Sequence, residues 1–297
     1  MPKASMMTPD QKLSILLKGS YGFGKTLAAC SVAIDGPVYL AYFDKNQPVE
    51  LLTFFNKFRP ELLDRIEYDI YSSQNPHEYL NKLMRWARDG YCPFNAVITD
   101  SATNLTSAAV NWSLGFRSRG GKTDKENKDA PALIPDFDDY KVETSLVTQA
   151  LDILKNLNVI NIWTAHPLNK IKLEGSGNSI KVTKTNDIVS YGSKVGSIIP
   201  GQFTEIYHFG KSIDYSVNPS RTKRFIYTDM VGDEFAKTAF DLPKEIDITD
   251  KLWWEVMKPL YAKALEVTRK DDVKTNDATP AKQETQVNQT PKYPWQK

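Results

Sequence analysis

Gly19-Ser20-Tyr21-Gly22-Phe23-Gly24-Lys25-Thr26 has the spacing G-x-x-x-x-G-K-T. Glycines at this spacing let a backbone bend tightly and aim successive N–H groups at phosphate oxygens. Lys25 is placed to reach the β- and γ-phosphates of a nucleoside triphosphate, and the Thr26 hydroxyl to ligate Mg²⁺. The segment is a Walker A phosphate loop, and it needs a strand before it and a helix after it. Leu13 to Leu17 is an apolar run that suits a parallel strand, and Leu27 to Ala33 suits the first turns of a helix. That helix would add its partial positive charge beneath the phosphates.

A phosphate loop requires an acidic partner for the ion. Phe94-Asn95-Ala96-Val97-Ile98-Thr99 reads as a buried strand and stops at Asp100. Asp100 therefore has the place of a Walker B aspartate, holding Mg²⁺ beside Thr26 directly or through water. The competing role for Asp100 is a helix cap for the residues after Ser101. Ser101 itself either orients a water at the γ-phosphate or caps.

The remaining elements frame these groups. Pro37 to Phe43 reads as a buried strand ending at Asp44, and Asp64 to Ile70 leads into another. Val159 to Thr164 is a third. Helical spacing of apolar residues marks Pro76 to Arg88 and Asp138 to Leu157, and Val49 to Phe58 also suits a helix. Phe203 to Phe209 and Arg224 to Thr228 are strand-like and suit an antiparallel addition at a sheet edge. Leu252 to Val267 is a closing helix, where the spacing of Trp253, Trp254 and Tyr261 favours core packing over a base-stacking platform. Alternating strands and helices predict an α/β fold: a mainly parallel sheet with helices on both faces. Residues 1–11 read as a flexible N-terminus, 12–267 as the ordered domain and 268–297 as a disordered polar tail.

Composition sets outer limits. The 297 residues are 41% hydrophobic and 25% charged, with a formal net charge of +2, so no global basic field points to nucleic acid. Any such site must come from local clusters. Cys30 and Cys92 lack metal-site spacing and read as reduced, buried thiols. No apolar run is long enough for a membrane span, and the start lacks the apolar core of a signal peptide. The expectation is a cytoplasmic protein without membrane contact.

The Walker A loop, the run Val38 to Asp44, the run Ala96-Val97-Ile98-Thr99-Asp100-Ser101 and the run Ile160-Asn161-Ile162-Trp163-Thr164-Ala165-His166 together resemble the RecA-type ATPase core. The chain is similar to the short RecA-like ATPases of bacteriophages, the Sak-type single-strand annealing and recombination proteins. Ser193 to Pro200 followed by Phe203 to Phe209 resembles that family, as does Ala236-Lys237-Thr238 with Leu242-Pro243. The resemblance spans roughly residues 12 to 248.

It implies ATP and Mg²⁺ as cofactors, single-stranded DNA as partner, and self-association into a ring or filament. His166, with Thr164, would stand where the family places a polar sensor of the γ-phosphate; a strand-end hydrogen-bonding role is the alternative. Two polar stretches, around 116–130 and 167–190, would be DNA-binding loops carrying Arg117, Arg119, Lys122, Lys170, Lys172, Lys181 and Lys184. A solvated surface loop is the competing reading of the first, which also holds Asp124, Glu126 and Asp129. Lys237, or one of Arg221, Lys223 and Arg224, would reach the γ-phosphate of a neighbouring subunit.

One position departs from the family. Its water-polarising glutamate falls at Asn46, which can orient water but cannot take its proton. Either Asp44, Asp100 or Glu50 supplies the base, or hydrolysis is slow and nucleotide acts as an assembly switch. Tyr293-Pro294-Trp295, at the end of the polar tail, is either a docking motif for a single-strand-binding or replication protein or an inert end. With that resemblance, the expectation is an ATP-binding RecA-like ATPase acting on single-stranded DNA in phage recombination, annealing or replication, with two alternatives. One is a helicase loader or motor acting on a protein partner; the other is a nucleotide-gated binding module with little hydrolysis.

Overall fold

Short apolar runs that bury both faces must lie at the centre of a layered structure, and here they do. The computed structural model describes residues 13–44, 47–116, 135, 137–174, 181–230 and 235–276, with 116, 169–174, 181–186, 193 and 266–276 described as backbone alone. The strands are β1 (Ser14–Lys18), β2 (Val38–Tyr42), β3 (Ile66–Ile70), β4 (Ala96–Asp100), β5 (Ile160–Ala165), β6 (Pro167–Glu174), β7 (Lys181–Ile188), β8 (Glu205–Asp214), β9 (Arg221–Tyr227) and β10 (Glu245–Asp247). The helices are α1 (Lys25–Cys30), α2 (Val49–Phe58), α3 (Pro76–Asp89), α4 (Ala102–Phe116), α5 (Phe137–Asn156), α6 (Ser193–Ile198) and α7 (Trp253–Asn276).

Among the described residues the main sheet runs β10-β9-β8-β1-β5-β4-β2-β3. The pairs from β8 through β3 are parallel, and β9 and β10 add antiparallel at one edge. Period-two alternation divides the core between the two faces. Ile15 and Leu17 pack with α1, α2 and the start of α7, while Leu16 packs on the opposite face with α3, α4 and α5. The expected α/β arrangement, a mainly parallel sheet clothed on both faces with antiparallel strands at an edge, is the one observed.

Register decides what this sheet can position. Lys18 pairs with Ala165, Thr99 with Trp163, and Tyr42 with Asp100. Parallel strands in this register finish at a common edge, so the residues that follow β1, β2, β4 and β5 all emerge together.

Three segments differ from the expectation. The polar stretch 167–190 is an antiparallel ribbon, β6–β7, pairing Pro167 with Ile188 through Glu174 with Lys181. Its apolar alternation is diluted by Lys, Asn and Thr, which hides the strand period. Helix α4 follows directly from Ser101, where alanine, threonine and serine dominate and the apolar signal is weak. Helix α7 runs to Asn276, nine residues past the expected end at Val267. Trp253, Trp254 and Tyr261 are buried in the core, as their spacing indicates, and the Trp254 indole donates to Asp35 Oδ2 at 2.7 Å. Cys30 is buried and Cys92 half-buried, and neither is in a disulfide.

Helix α2 is held by Phe55, which is fully buried, and by Leu51. Phe55→Ala is expected to cost about 3–5 kcal/mol through lost burial and a residual cavity. A urea unfolding curve at neutral pH checks this, and a loss under about 1 kcal/mol would mean that α2 is not anchored to the core.

Candidate functional site

The phosphate loop joins β1 to α1. Gly22 and Gly24 have φ of 72° and 87°, the left-handed region that favours glycine, and a Cβ on Gly19 would come within 2.9 Å of Phe209 Cβ. Glycine is thus required by conformation at two positions and by close approach to β8 at the third. The Lys25 ammonium folds back over the loop, donating to Gly19 O at 2.8 Å and Ser20 O at 3.0 Å. It is largely buried, and burial lowers its pKa to about 8 despite the opposing attraction of Asp100.

Asp100 ends β4, where its carboxylate is buried beside the loop. Burial raises its pKa, opposed by hydrogen bonds from Thr164 and Thr26 and by the charge of Lys25. Thr26 Oγ1 donates to Asp100 Oδ2 at 2.7 Å, and the Thr164 hydroxyl donates to Oδ1. The carboxylate is therefore turned toward Thr26 rather than capping α4. Ser101 takes the capping role, its Oγ accepting from Asn104 N at 3.2 Å.

The hydroxyl of Thr26 and the carboxylate of Asp100 form an all-oxygen pair of the kind Mg²⁺ takes. Among the described residues no group of three or more His, Cys, Asp or Glu side chains could hold a metal ion alone. An ion bound here would draw its remaining ligands from phosphate and water.

His166, just past β5, donates from Nδ1 to Gly19 O at 3.2 Å, and its ring stacks on exposed Tyr21 with centroids 3.7 Å apart. Burial, then the nearby Lys25 charge, lowers its pKa to about 4, so the ring is neutral at pH 7. Its backbone N–H donates to Thr103 Oγ1, and its carbonyl accepts from Val189 N at the stem of the β6–β7 ribbon. One residue thus touches the phosphate loop, the start of α4 and the ribbon.

These groups border one cavity of about 630 Å³, lined by Lys25, Thr26, Asp44, Asp100 and His166 among others. Tyr42 joins them, its hydroxyl pKa pushed up to about 12 by burial and then by Asp100, Asp44 and Glu50. Phe54 and Arg224 line the cavity too. Sequence reasoning gave Phe54 no role at the site, because nothing in its spacing separates it from core-facing neighbours on α2.

The other expected site residues fall differently. Arg224 lines its own chain's cavity, whereas the resemblance assigned it to a neighbouring subunit's γ-phosphate. Arg221 and Lys223 pair within the chain, with Asp250 at 3.4 Å and Asp214 at 2.8 Å. Lys237 forms an antiparallel bridge with Ile206 through its backbone. Arg117, Arg119, Lys122 and Asn46 lie outside the described residues, as do Tyr293 and Trp295. Lys170, Lys172, Lys181 and Lys184 lie on the β6–β7 ribbon, where the backbone alone is described.

No protein-family model matches the chain, and no curated protein matches it. Among solved structures it is similar to the RadB recombinase, at 14% identity and a TM-score of 0.43 over 81% of this chain and 89% of that one. It is also similar to an ATPase of the type III secretion system of pathogenic bacteria, at 13% identity and a TM-score of 0.38 over 66% of this chain and 51% of that one. A third is the assembled ATPase EscN in complex with its central stalk EscO from enteropathogenic E. coli, at 10% identity and a TM-score of 0.42, over 93% of this chain and 57% of that one. The chain spans little more than half the length of the two secretion ATPases. Among the described residues no helix is long and apolar enough to cross a membrane.

Two pH responses follow from the buried groups. His166 stays neutral in the folded chain down to about pH 4, while the unfolded chain takes up a proton near pH 6.5. Its contribution to stability therefore declines as pH falls from about 6.5 toward 4. His166→Gln is expected to flatten that part of a urea-midpoint profile, and an unchanged slope would contradict the buried neutral ring. Lys25 in the free protein loses its charge as pH rises through about 8, so affinity for MgATP should fall above that pH. Calorimetric titrations between pH 7 and 9.5 check this.

Proposed function

We propose that the chain is a Mg²⁺-dependent, RecA-like ATPase of the cytoplasm that acts on single-stranded DNA in recombination, annealing or replication of the bacteriophage type. The observation that carries this reading is the convergence of Lys25, Thr26 and Asp100 on one cavity, at the common edge of parallel strands. In it the Lys25 ammonium exchanges Gly19 O and Ser20 O for the β- and γ-phosphates. Thr26 and Asp100 hold the ion, which supplies neutralisation of the charge on those phosphate oxygens when bound.

Asp44 and Glu50 border the same cavity from the end of β2 and from α2. Either carboxylate accepts a proton from an attacking water, the task that Asn46 cannot perform. The neutral His166 ring has its Nδ1–H committed to Gly19 O, which leaves Nε2 as an acceptor toward a water or a protonated phosphate oxygen. Because the β6–β7 ribbon begins at the next residue, a change at Gly19 or Tyr21 is felt at the ribbon stem.

Lys170, Lys172, Lys181 and Lys184 give the ribbon the local positive charge that the chain as a whole lacks, and this supports single-stranded DNA as its target. In this reading subunits assemble into a ring or filament along the strand, with Lys237 as the candidate for contact across a subunit boundary. Tyr293 and Trp295 are the candidate docking residues for a replication partner.

Wild-type protein is expected to release phosphate from ATP, faster with single-stranded DNA, and Lys25→Ala to lose nucleotide binding. Replacing the four ribbon lysines by alanine should weaken DNA binding and reduce the slope of log affinity against log salt by about 0.7 for each phosphate no longer neutralised. Fluorescence anisotropy with a labelled oligonucleotide reads both. Absent DNA binding would leave a protein partner as the target of the ATPase, whereas binding unchanged in the quadruple variant would remove the ribbon lysines as the DNA site.

A further inference from the structure

Arg224 stands where two cavities meet. The first holds Lys25, Thr26 and Asp100; the second, of about 350 Å³, is walled by Phe54 and Phe58 of α2, Phe23 of the loop and Ile248 to Trp253. Gly24, Leu27, Phe54 and Arg224 belong to both, whereas Asp100 and His166 border the first alone. Arg224 thus stands where the first cavity adjoins the second, which Asp100 does not border.

Its backbone is pinned from one side. Arg224 N donates to Thr249 Oγ1 at 3.0 Å, and Arg224 O accepts from Ile248 N at 2.9 Å and from Thr249 Oγ1 at 3.3 Å. Ile226, two residues on and so on the same face of β9, is fully buried in the core beneath α1. The side chain is therefore committed to the α1 side of the sheet.

The Nε of Arg224 is buried and has no hydrogen-bond partner among the described residues. Nearby arginines differ: Arg221 pairs with Asp250, and Arg59 with Glu61 and Glu255. A desolvated guanidinium N–H left unpaired is unfavourable, and a phosphate offers the acceptor whose geometry its fork matches.

We propose that Arg224 grips the nucleotide bound in its own chain, at the phosphate nearest the nucleoside, with the nucleoside in the adjoining aromatic-walled cavity. This rests on the nucleotide reading above and adds a second cation, at the opposite end of the polyphosphate from Asp100. The flat apolar faces of Phe54 and Phe58 suit a purine ring, and the cavity is open to the phosphates on the side that Arg224 occupies. The grip needs no neighbouring subunit.

Isothermal titration of ADP with Mg²⁺ into the full chain tests the proposal, using wild type, Arg224→Gln and Arg224→Lys, each first shown to melt as wild type does. Arg224→Gln is expected to bind ADP about tenfold or more weakly, with partial recovery in Arg224→Lys. Wild-type binding with undiminished affinity in Arg224→Gln would overturn the grip and leave the nucleotide site standing. Failure of wild type to bind any nucleotide would remove both. In a second experiment Lys25→Ala and Arg224→Gln chains are mixed. Recovered ATPase activity would place Arg224 across a subunit boundary and overturn action within one chain, whereas no recovery accords with it.

Discussion

A buried carboxylate held by two hydroxyls organises this molecule. Asp100 accepts from Thr26 at the start of α1 and from Thr164 near the end of β5, so its two oxygens tie together three segments distant in sequence. A carboxylate removed from water destabilises unless its lone pairs are satisfied. Here the same hydrogen bonds that satisfy it bring the phosphate loop to β4. Lys25 lies beside it, giving the buried anion a buried cation. The arrangement is poised for exchange, because a divalent ion and a phosphate offer the same groups stronger partners than they now have.

That tie works only because the sheet brings its parallel strands to a common edge. β5 lies between β1 and β4, so Thr164 and His166 emerge between the loop and Asp100. α2, anchored by Phe55, closes the far side of the cavity with Glu50 and Phe54. β9 closes another side with Arg224. Each wall of the cavity comes from a different connection, which is the usual way a doubly wound sheet builds a ligand crevice.

His166 gives the site a route outward. Its ring contacts Gly19 and Tyr21, while its backbone is bonded to Thr103 and closes the stem of the ribbon. Rearrangement of the loop around a phosphate would disturb the stack and so bias the ribbon, a two-ended contact of the kind on which coupling between sites depends. The ribbon pairs with itself rather than with the main sheet, so it can move without breaking the core ladder.

The sequence alone was sufficient where chemistry is local. Eight consecutive residues set the tight bend between β1 and α1, because the glycine conformations it needs fall within a short stretch of chain. Apolar runs ending at Asp44 and Asp100 marked strands β2 and β4, since buried parallel strands leave an uninterrupted hydrophobic signature. Helical spacing put Trp253 and Trp254 in the core for the same reason. Tertiary structure alone decided which distant residues meet. The hydrogen bond of Thr164 to Asp100, the placing of Phe54 on the cavity wall and the turn of Arg224 into its own chain's cavity depend on strand order and register, which periodicity does not encode. The β6–β7 ribbon was illegible because the Lys, Asn and Thr residues of its sequence dilute the alternation by which a strand is read.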